Sequence, residues 1–155
     1  MINHLDKLQE ITILHKLPKQ IPIFPLQGVV IFPNTYLPLN IFETRYLKMI
    51  DKALATDDRL IGMIQPMAVK DELHANLHNV GCAGKIIKFE EVEDGRYLIT
   101  LKGLSRFNLI KEKTNDDNFK VAEIDSSNFA KDFQKEKIKE GFGNLKTALK
   151  KYFQA

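Results

Sequence analysis

The chain has 155 residues, 44% of them hydrophobic and 28% charged, with a formal net charge of +3. These values indicate a globular protein that can bury a core, and the mildly basic charge permits weak nucleic-acid contact without arguing for it. The single cysteine excludes an intrachain disulfide, and no apolar run approaches the roughly 20 residues that cross a bilayer. The N-terminus carries acidic residues and lacks a long apolar segment, so we predict no secretory signal and a cytoplasmic location.

The first predicted segment is an N-terminal arm over residues 1–20. Leu5, Leu8 and Ile11 recur at helical spacing, but the segment is short and Pro18 closes it. The pattern therefore fits either a loose helix or a partly disordered arm.

Residues 21–46 combine strand-forming side chains with prolines. Because proline cannot donate to a sheet ladder, the strands here, Val29–Phe32 among them, must be short, bulged or at a sheet edge. The pattern then becomes helical, and the spacing of Asn40 and Glu43 matches a capping box with Asn40 as the cap. We predict an amphipathic helix over Glu43–Ala55.

Residues 59–124 are predicted to form strands joined by turns, with the polar stretch 68–79 as a loop. The predicted strands are Arg59–Gln65, Gly81–Glu93, Tyr97–Leu109 with a kink at Gly103, and Phe119–Ile124. Asp94 and Gly95 both tolerate positive φ and indicate a tight two-residue hairpin, and Asn115–Asn118 indicates another turn. This order of elements favours a closed or half-closed β structure over a parallel α/β sheet.

The last predicted segment is a C-terminal helix over residues 127–155. An apolar stripe runs from Phe129 to Phe153 among lysines, and Gly141 and Gly143 make two helical pieces as compatible with the pattern as one. The stripe covers the β-domain, pairs with another chain or continues into a longer protein, and the pattern leaves all three open. The predicted organisation is thus an arm (1–20), a β-domain (21–126) and a C-terminal helix (127–155).

Three motifs resemble the N-terminal substrate-binding domain of Lon proteases. They are FPLQGVVIFPNTYLPLNIFETRY, LHNVGCAGKI and DGRYLITLKGLSRFNLI, which follow one another in the family's order within residues 21–124. The resemblance implies a mainly β (α+β) fold, a PUA-like pseudobarrel of short, mostly antiparallel strands with one early helix and a C-terminal helical segment. Asn40 stands where the family often has His, and Thr44 where it often has Pro; both residues are compatible with a helix start.

A search for catalytic or metal-binding constellations leads us to predict no cofactor and no metal. The residues from Gly81 to Lys85 resemble a phosphate-binding loop only superficially, since their spacing is wrong and strand formers follow them. His74, His78 and Cys82 recur every fourth residue and would align zinc ligands on one helix, but Gly81 breaks that helix. Cys82 is better explained as a small packed side chain at the start of a strand.

The resemblance implies that the chain recognises unfolded or damaged protein substrates. It also implies that the chain is not itself an enzyme, because the ATPase and the Ser-Lys peptidase of full-length Lon are not present in it. The candidate binding residues are Phe24, Phe32 and Tyr36 on the opening strands and Glu43, Arg45 and Lys48 around the helix. An extended client segment could dock by adding a strand to an exposed edge.

Each candidate also has a structural explanation. The three aromatic side chains could simply fill the barrel, and the pair formed by Glu43 and Arg45 could be a helix cap with a solvated or locally paired arginine.

Two other functions stay open at this point. PUA-like barrels also occur in RNA-binding proteins, and Arg96 and Arg106 could form a basic patch with nearby lysines, although nucleic acid is the less favoured partner. The third possibility is a scaffold that self-associates through the Phe129–Phe153 stripe.

Overall fold

The computed structural model describes residues 17–67 and 76–133. Strand-forming segments give six β-strands in these ranges, and the amphipathic segment gives one α-helix. The elements are β1 (Gln20–Pro25), β2 (Tyr36–Ile41), α1 (Thr44–Leu54), β3 (Leu60–Ile64), β4 (Val80–Glu91), β5 (Tyr97–Thr114), β6 (Lys120–Asp125) and a 3₁₀ segment (Ser127–Phe133).

Strand β5 closes the sheet into a barrel. The strand order is β2-β5-β4-β3-β1-β6, and β5 pairs with β6 as well, so β5, β4, β3, β1 and β6 form a ring. One edge of β5 pairs with β4. The other edge pairs with β2 along Tyr97–Lys102 and with β6 along Asn108–Thr114. Every pairing is antiparallel except that of β1 with β3. The predicted pseudobarrel of mostly antiparallel strands is confirmed.

The predicted kink at Gly103 is present as a β-bulge. The register between β4 and β5 shifts there, because Ala83 lies opposite Ser105 while Gly84 lies opposite Gly103. A Cβ atom on Gly103 would collide with the carbonyl group of Phe32. Glycine therefore allows the loop between β1 and β2 to cross directly over the backbone of β5.

Helix α1 packs its apolar face on the barrel. Its buried side chains are Tyr46, Met49, Ile50 and Ala53. The ring of Tyr46 stacks on that of Phe24 in β1, with 4.2 Å between the ring centroids. The predicted helix is confirmed to within one residue at each end, because the 3.6-residue apolar spacing is a local property of the chain.

The predicted capping box is wrong. Asn40 lies within β2 opposite Leu98, so its backbone is extended and three residues separate it from the helix. Glu43 is the N-cap residue, and it makes no side-chain cap hydrogen bond. Its carboxylate instead pairs with Arg45, 2.9 Å away.

The residues Val29–Phe32 form an irregular loop rather than the predicted strand. The side chain of Gln65 occupies the position where a ladder would form: its amide donates to the carbonyl oxygens of Leu26 (3.0 Å) and Val29, and its oxygen accepts from the amide of Gly28 (3.0 Å). These side-chain hydrogen bonds replace those of a sheet.

The hairpin between β4 and β5 is confirmed, but its loop has three residues rather than two. The amide of Gly95 donates to the Val92 carbonyl (2.9 Å), and the amide of Val92 donates to the Arg96 carbonyl (3.0 Å). Gly95 has a φ of 86°, whereas Asp94 is not among the residues with positive φ. This is a turn followed by one left-handed residue, in place of the predicted two-residue turn.

Several predictions fall wholly or partly outside the described residues. They are the arm before residue 17, the loop segment 68–75 with His74, and the C-terminal stripe beyond residue 133 with its proposed self-association. The described beginning of that C-terminal segment is 3₁₀ rather than α-helical, with a kink at Phe129.

Candidate functional site

The loop between β1 and β2 presents apolar side chains to solvent. Val30 and Phe32 are 57% and 62% exposed, whereas Ile31 between them is buried in the core. The side chains of Val30 and Phe32 therefore lie on the surface, and the buried side chain of Ile31 between them anchors the loop to the core. With Val80, which is also exposed, they form what we call the loop patch (Val30, Phe32 and Val80).

The loop patch is held in place from both sides. Gln65 binds the first part of the loop as described above. On the other side, the amide of Asn34 donates to the Gly103 carbonyl and the amide of Gly103 donates to the Thr35 carbonyl, both at 2.8 Å. The Thr35 hydroxyl also donates to the Phe32 carbonyl (2.7 Å). These bonds preorganise the exposed side chains, which lowers the entropy lost on binding.

A concavity of about 130 Å³ lies beside the loop patch. Its walls come from residues 29–32, 63–65 and 80–82 together with Arg106. Drug-sized ligands usually occupy pockets of about 300–1,000 Å³. This concavity is therefore suited to one side chain of a larger partner rather than to a small-molecule cofactor.

Arg106, at the rim of this concavity, forms an ion pair with Asp132. The Asp132 carboxylate accepts hydrogen bonds from the Arg106 amide (3.0 Å), Nε (2.9 Å) and Nη2 (2.9 Å). The guanidinium also lies 4.7 Å from the ring centre of Phe129. Hydrogen bonding from Arg106 holds the pKa of Asp132 below its ordinary value. The pair joins the 3₁₀ segment to the barrel.

Arg96 and Arg106, which could have formed a basic patch, each pair with a nearby acid instead. Arg96 Nε lies 2.6 Å from an oxygen of Asp94 within its own turn, and Arg106 is held by Asp132. Both arginines are thus paired with neighbouring acids, which partly neutralise the charge that either would offer to a phosphate.

The three aromatic candidates lie in different environments. Phe24 is buried against Tyr46 in the core, so its side chain is not part of an accessible surface. Phe32 belongs to the loop patch. Tyr36 begins β2 and is exposed on the outer face of the sheet, opposite Lys102. The structure thus leaves Phe32 and Tyr36 accessible and assigns Phe24 to packing.

The charged candidates around α1 have local partners. Glu43 pairs with Arg45, whose guanidinium also lies 4.8 Å from the ring centre of Tyr46. Lys48 lies 3.6 Å from Asp117 in the turn between β5 and β6. Strand β2, about 17 Å long, separates this cluster from the loop patch, so the two sets of candidates do not form one site.

Two features of the loop patch were missed at the sequence level. Val80 comes from a strand 50 positions after Val30, and Gln65 is a single polar residue at the end of an apolar strand. Val30, Ile31 and Phe32 form a continuous apolar run in the sequence, and such a run is typical of a fully buried strand rather than of an exposed loop.

Cys82 is buried in the core, and burial raises its pKa to about 12. A thiol in this state is a poor nucleophile and a poor metal ligand. In the part of the chain that the structure describes, no group of three His, Cys, Asp or Glu side chains is arranged to hold a metal ion. Within the same residues, no helix has the length and apolar character that crossing a membrane requires.

Comparison with known proteins assigns the family. Residues 20–155 match the family described as the ATP-dependent protease La (LON) substrate-binding domain. Lon protease of Xanthomonas oryzae is 30% identical over 62% of this chain, and that of Syntrophus aciditrophicus is 28% identical over 86%. The chain spans only 11% and 17% of these two relatives.

A solved structure has the same fold. The Lon N-terminal domain protein from Xanthomonas campestris superposes with a TM-score of 0.63 at 22% identity, covering 87% of this chain and 73% of that one. The structural likeness confirms the fold, and the family match covers most of the sequence. The chain belongs to the substrate-binding domain family of the ATP-dependent protease La (LON).

Proposed function

We propose that this domain binds apolar segments of unfolded or damaged polypeptides as a non-catalytic recognition module. The observation that carries the proposal is the loop patch, in which a well-anchored loop holds Val30 and Phe32 in water beside a small concavity. The family description, a substrate-binding domain of a protease, supports a polypeptide as the ligand.

Burial of the loop patch would supply the binding free energy. Removing apolar surface from water is favourable by about 25 cal/mol per Å². Folded polypeptides hide such side chains, whereas unfolded ones expose them, so a surface of this kind distinguishes the two states. The small concavity selects single side chains without requiring a defined sequence.

The experiment is an NMR titration of the labelled domain with a reduced, carboxymethylated polypeptide. We expect the double variant Val30→Ser/Phe32→Ser to bind about 5- to 30-fold more weakly, which corresponds to the loss of about 1–2 kcal/mol of apolar contact. The matched control is Ile110→Ser/Phe42→Ser, whose side chains are 56% and 66% exposed at other places on the surface.

Equal weakening by both double variants would contradict the role of the loop patch. High salt should leave the difference in affinity between the wild type and Val30→Ser/Phe32→Ser nearly unchanged, because apolar contacts are not screened. Binding of single-stranded RNA in place of the polypeptide, with a steep loss of affinity in salt, would overturn the proposal in favour of nucleic acid.

A further inference from the structure

Three lysines are brought together on the outer face of the sheet. Lys85 in β4 lies directly opposite Lys102 in β5, and Tyr36 in β2 lies opposite Lys102 on its other side. Directly opposed residues share one face, with Cβ atoms about 4.5–5.5 Å apart. Lys88 faces the same way, opposite Thr100. We call Lys85, Lys88 and Lys102 the lysine row.

The lysine row lacks acidic partners among the described residues. Other lysines do have them: Lys52 lies 2.8 Å from Asp117, and Lys120 lies 2.9 Å from Glu112. Like charges directly across two strands repel each other and destabilise the sheet. The cross-strand pair of Lys85 and Lys102 therefore lowers stability without a compensating ion pair in the described part of the chain, which points to an anionic ligand.

The charges beside the lysine row favour a particular anion. Glu90 follows Lys88 by two residues on β4 and thus lies on the same face about 7 Å further along. A phosphate backbone running along the strands would place its continuous negative charge beside this carboxylate. A polypeptide avoids the repulsion, because it can present acidic side chains to the lysines and an uncharged residue to Glu90.

We propose that the lysine row binds an acidic stretch of polypeptide, with two or three Asp or Glu side chains close together. Tyr36 is exposed next to Lys102 and offers its ring and hydroxyl to the same segment. The lysine row then selects client segments by their charge, whereas the loop patch selects them by their apolar side chains. Insofar as this segment belongs to a client, the inference rests on the proposed function.

The experiment titrates the domain with a flexible Gly-Ser peptide that carries three glutamates and no apolar residue. We expect Lys85→Gln/Lys102→Gln to bind this peptide about tenfold more weakly. The matched control, Lys19→Gln/Lys113→Gln, removes the same charge from exposed lysines elsewhere on the described surface. The lysine-row variant should unfold at no lower a urea concentration than the wild type, because the substitution removes a repulsion.

Equal affinity of the lysine-row variant and the control variant would overturn the inference. Tighter binding at the lysine row by a single-stranded RNA of the same charge than by the peptide would also overturn the inference. The neutralised peptide, with Gln at each Glu, should not bind. Equal binding of the carboxymethylated polypeptide by the wild type and Val30→Ser/Phe32→Ser, with normal binding of the acidic peptide, would contradict the proposed function alone.

Discussion

Cys82 illustrates how burial settles the chemistry of a single residue. It lies in β4 with its side chain inside the core, and burial is the main reason that its pKa rises from 9.0 to about 12. The nearby carboxylate of Asp132 adds to the rise, and Arg106 opposes it. The thiol is therefore neutral throughout the physiological range and acts as a packed apolar group.

This pKa predicts how stability depends on alkaline pH. The folded chain keeps the Cys82 proton between pH 9 and about 12, while the unfolded chain loses it. The free energy of unfolding should therefore fall with rising pH in this window, by up to about 1.4 kcal/mol per pH unit from this group. Urea unfolding of the wild type and of Cys82→Ala from pH 7 to 10.5 measures the difference. Identical pH slopes would show that the thiol is not protected.

Strand β2 is an edge whose outer side no described strand covers. Bonded and non-bonded pairs alternate in an antiparallel ladder. The amide of Gly103 donates to the Thr35 carbonyl, which puts Tyr36 and Pro38 in the non-bonded set with respect to β5. The backbone nitrogen and carbonyl groups of these two residues therefore face the open edge, and Pro38 has no N–H to donate there. Proline thus protects the centre of this edge against strand addition and weakens the case for clients that dock in that way.

Replacing Pro38 should expose the edge. We expect Pro38→Thr to increase self-association, because it restores a central donor on an open strand, and sedimentation velocity across a concentration series would detect it. Pro38→Lys is the control, since it restores the same amide but adds a charge that opposes pairing. A monomeric Pro38→Thr variant at the highest concentration would show that proline is not what protects β2.

At the scale of the whole molecule, one ion pair ties the 3₁₀ segment to the barrel. The side chain of Asp132 is only 8% exposed and accepts three hydrogen bonds from Arg106. Arg106 also lines the concavity beside the loop patch. The pair therefore links the candidate binding surface to the point where the chain continues towards its C-terminus.

Removing the Asp132 charge should loosen this segment selectively. We expect Asp132→Asn to cost about 1.5–3 kcal/mol of local stability and to speed hydrogen exchange in Ser127–Phe133, with the barrel strands little changed. Lys131→Gln, an exposed neighbour, serves as the control. Arg106 lowers the pKa of Asp132, so the ion pair should persist when the pH falls below the ordinary pKa of an aspartate. It should break only when the pH reaches the lowered pKa, where the carboxylate takes up a proton. Unaltered exchange in Asp132→Asn would mean that other contacts hold the segment.

The amino-acid sequence by itself determined the family, the helix over residues 44–54, the strands β3 to β6 and the existence of the hairpin. These features follow from local periodicity, turn residues and motif spacing, which act over a few neighbouring positions. The capping box failed because strand pairing extends to Ile41, a non-local event that local spacing does not reveal.

Only the tertiary structure decided which side chains form surfaces. Phe24 and Phe32 lie in similar apolar runs, yet one stacks in the core and the other is exposed. The loop patch likewise joins a loop to a strand far along the chain, and the lysine row joins facing positions of β4 and β5. Such neighbours are set by barrel closure and by the register of β4 and β5, bulges included, and a shift of one residue would exchange the two faces.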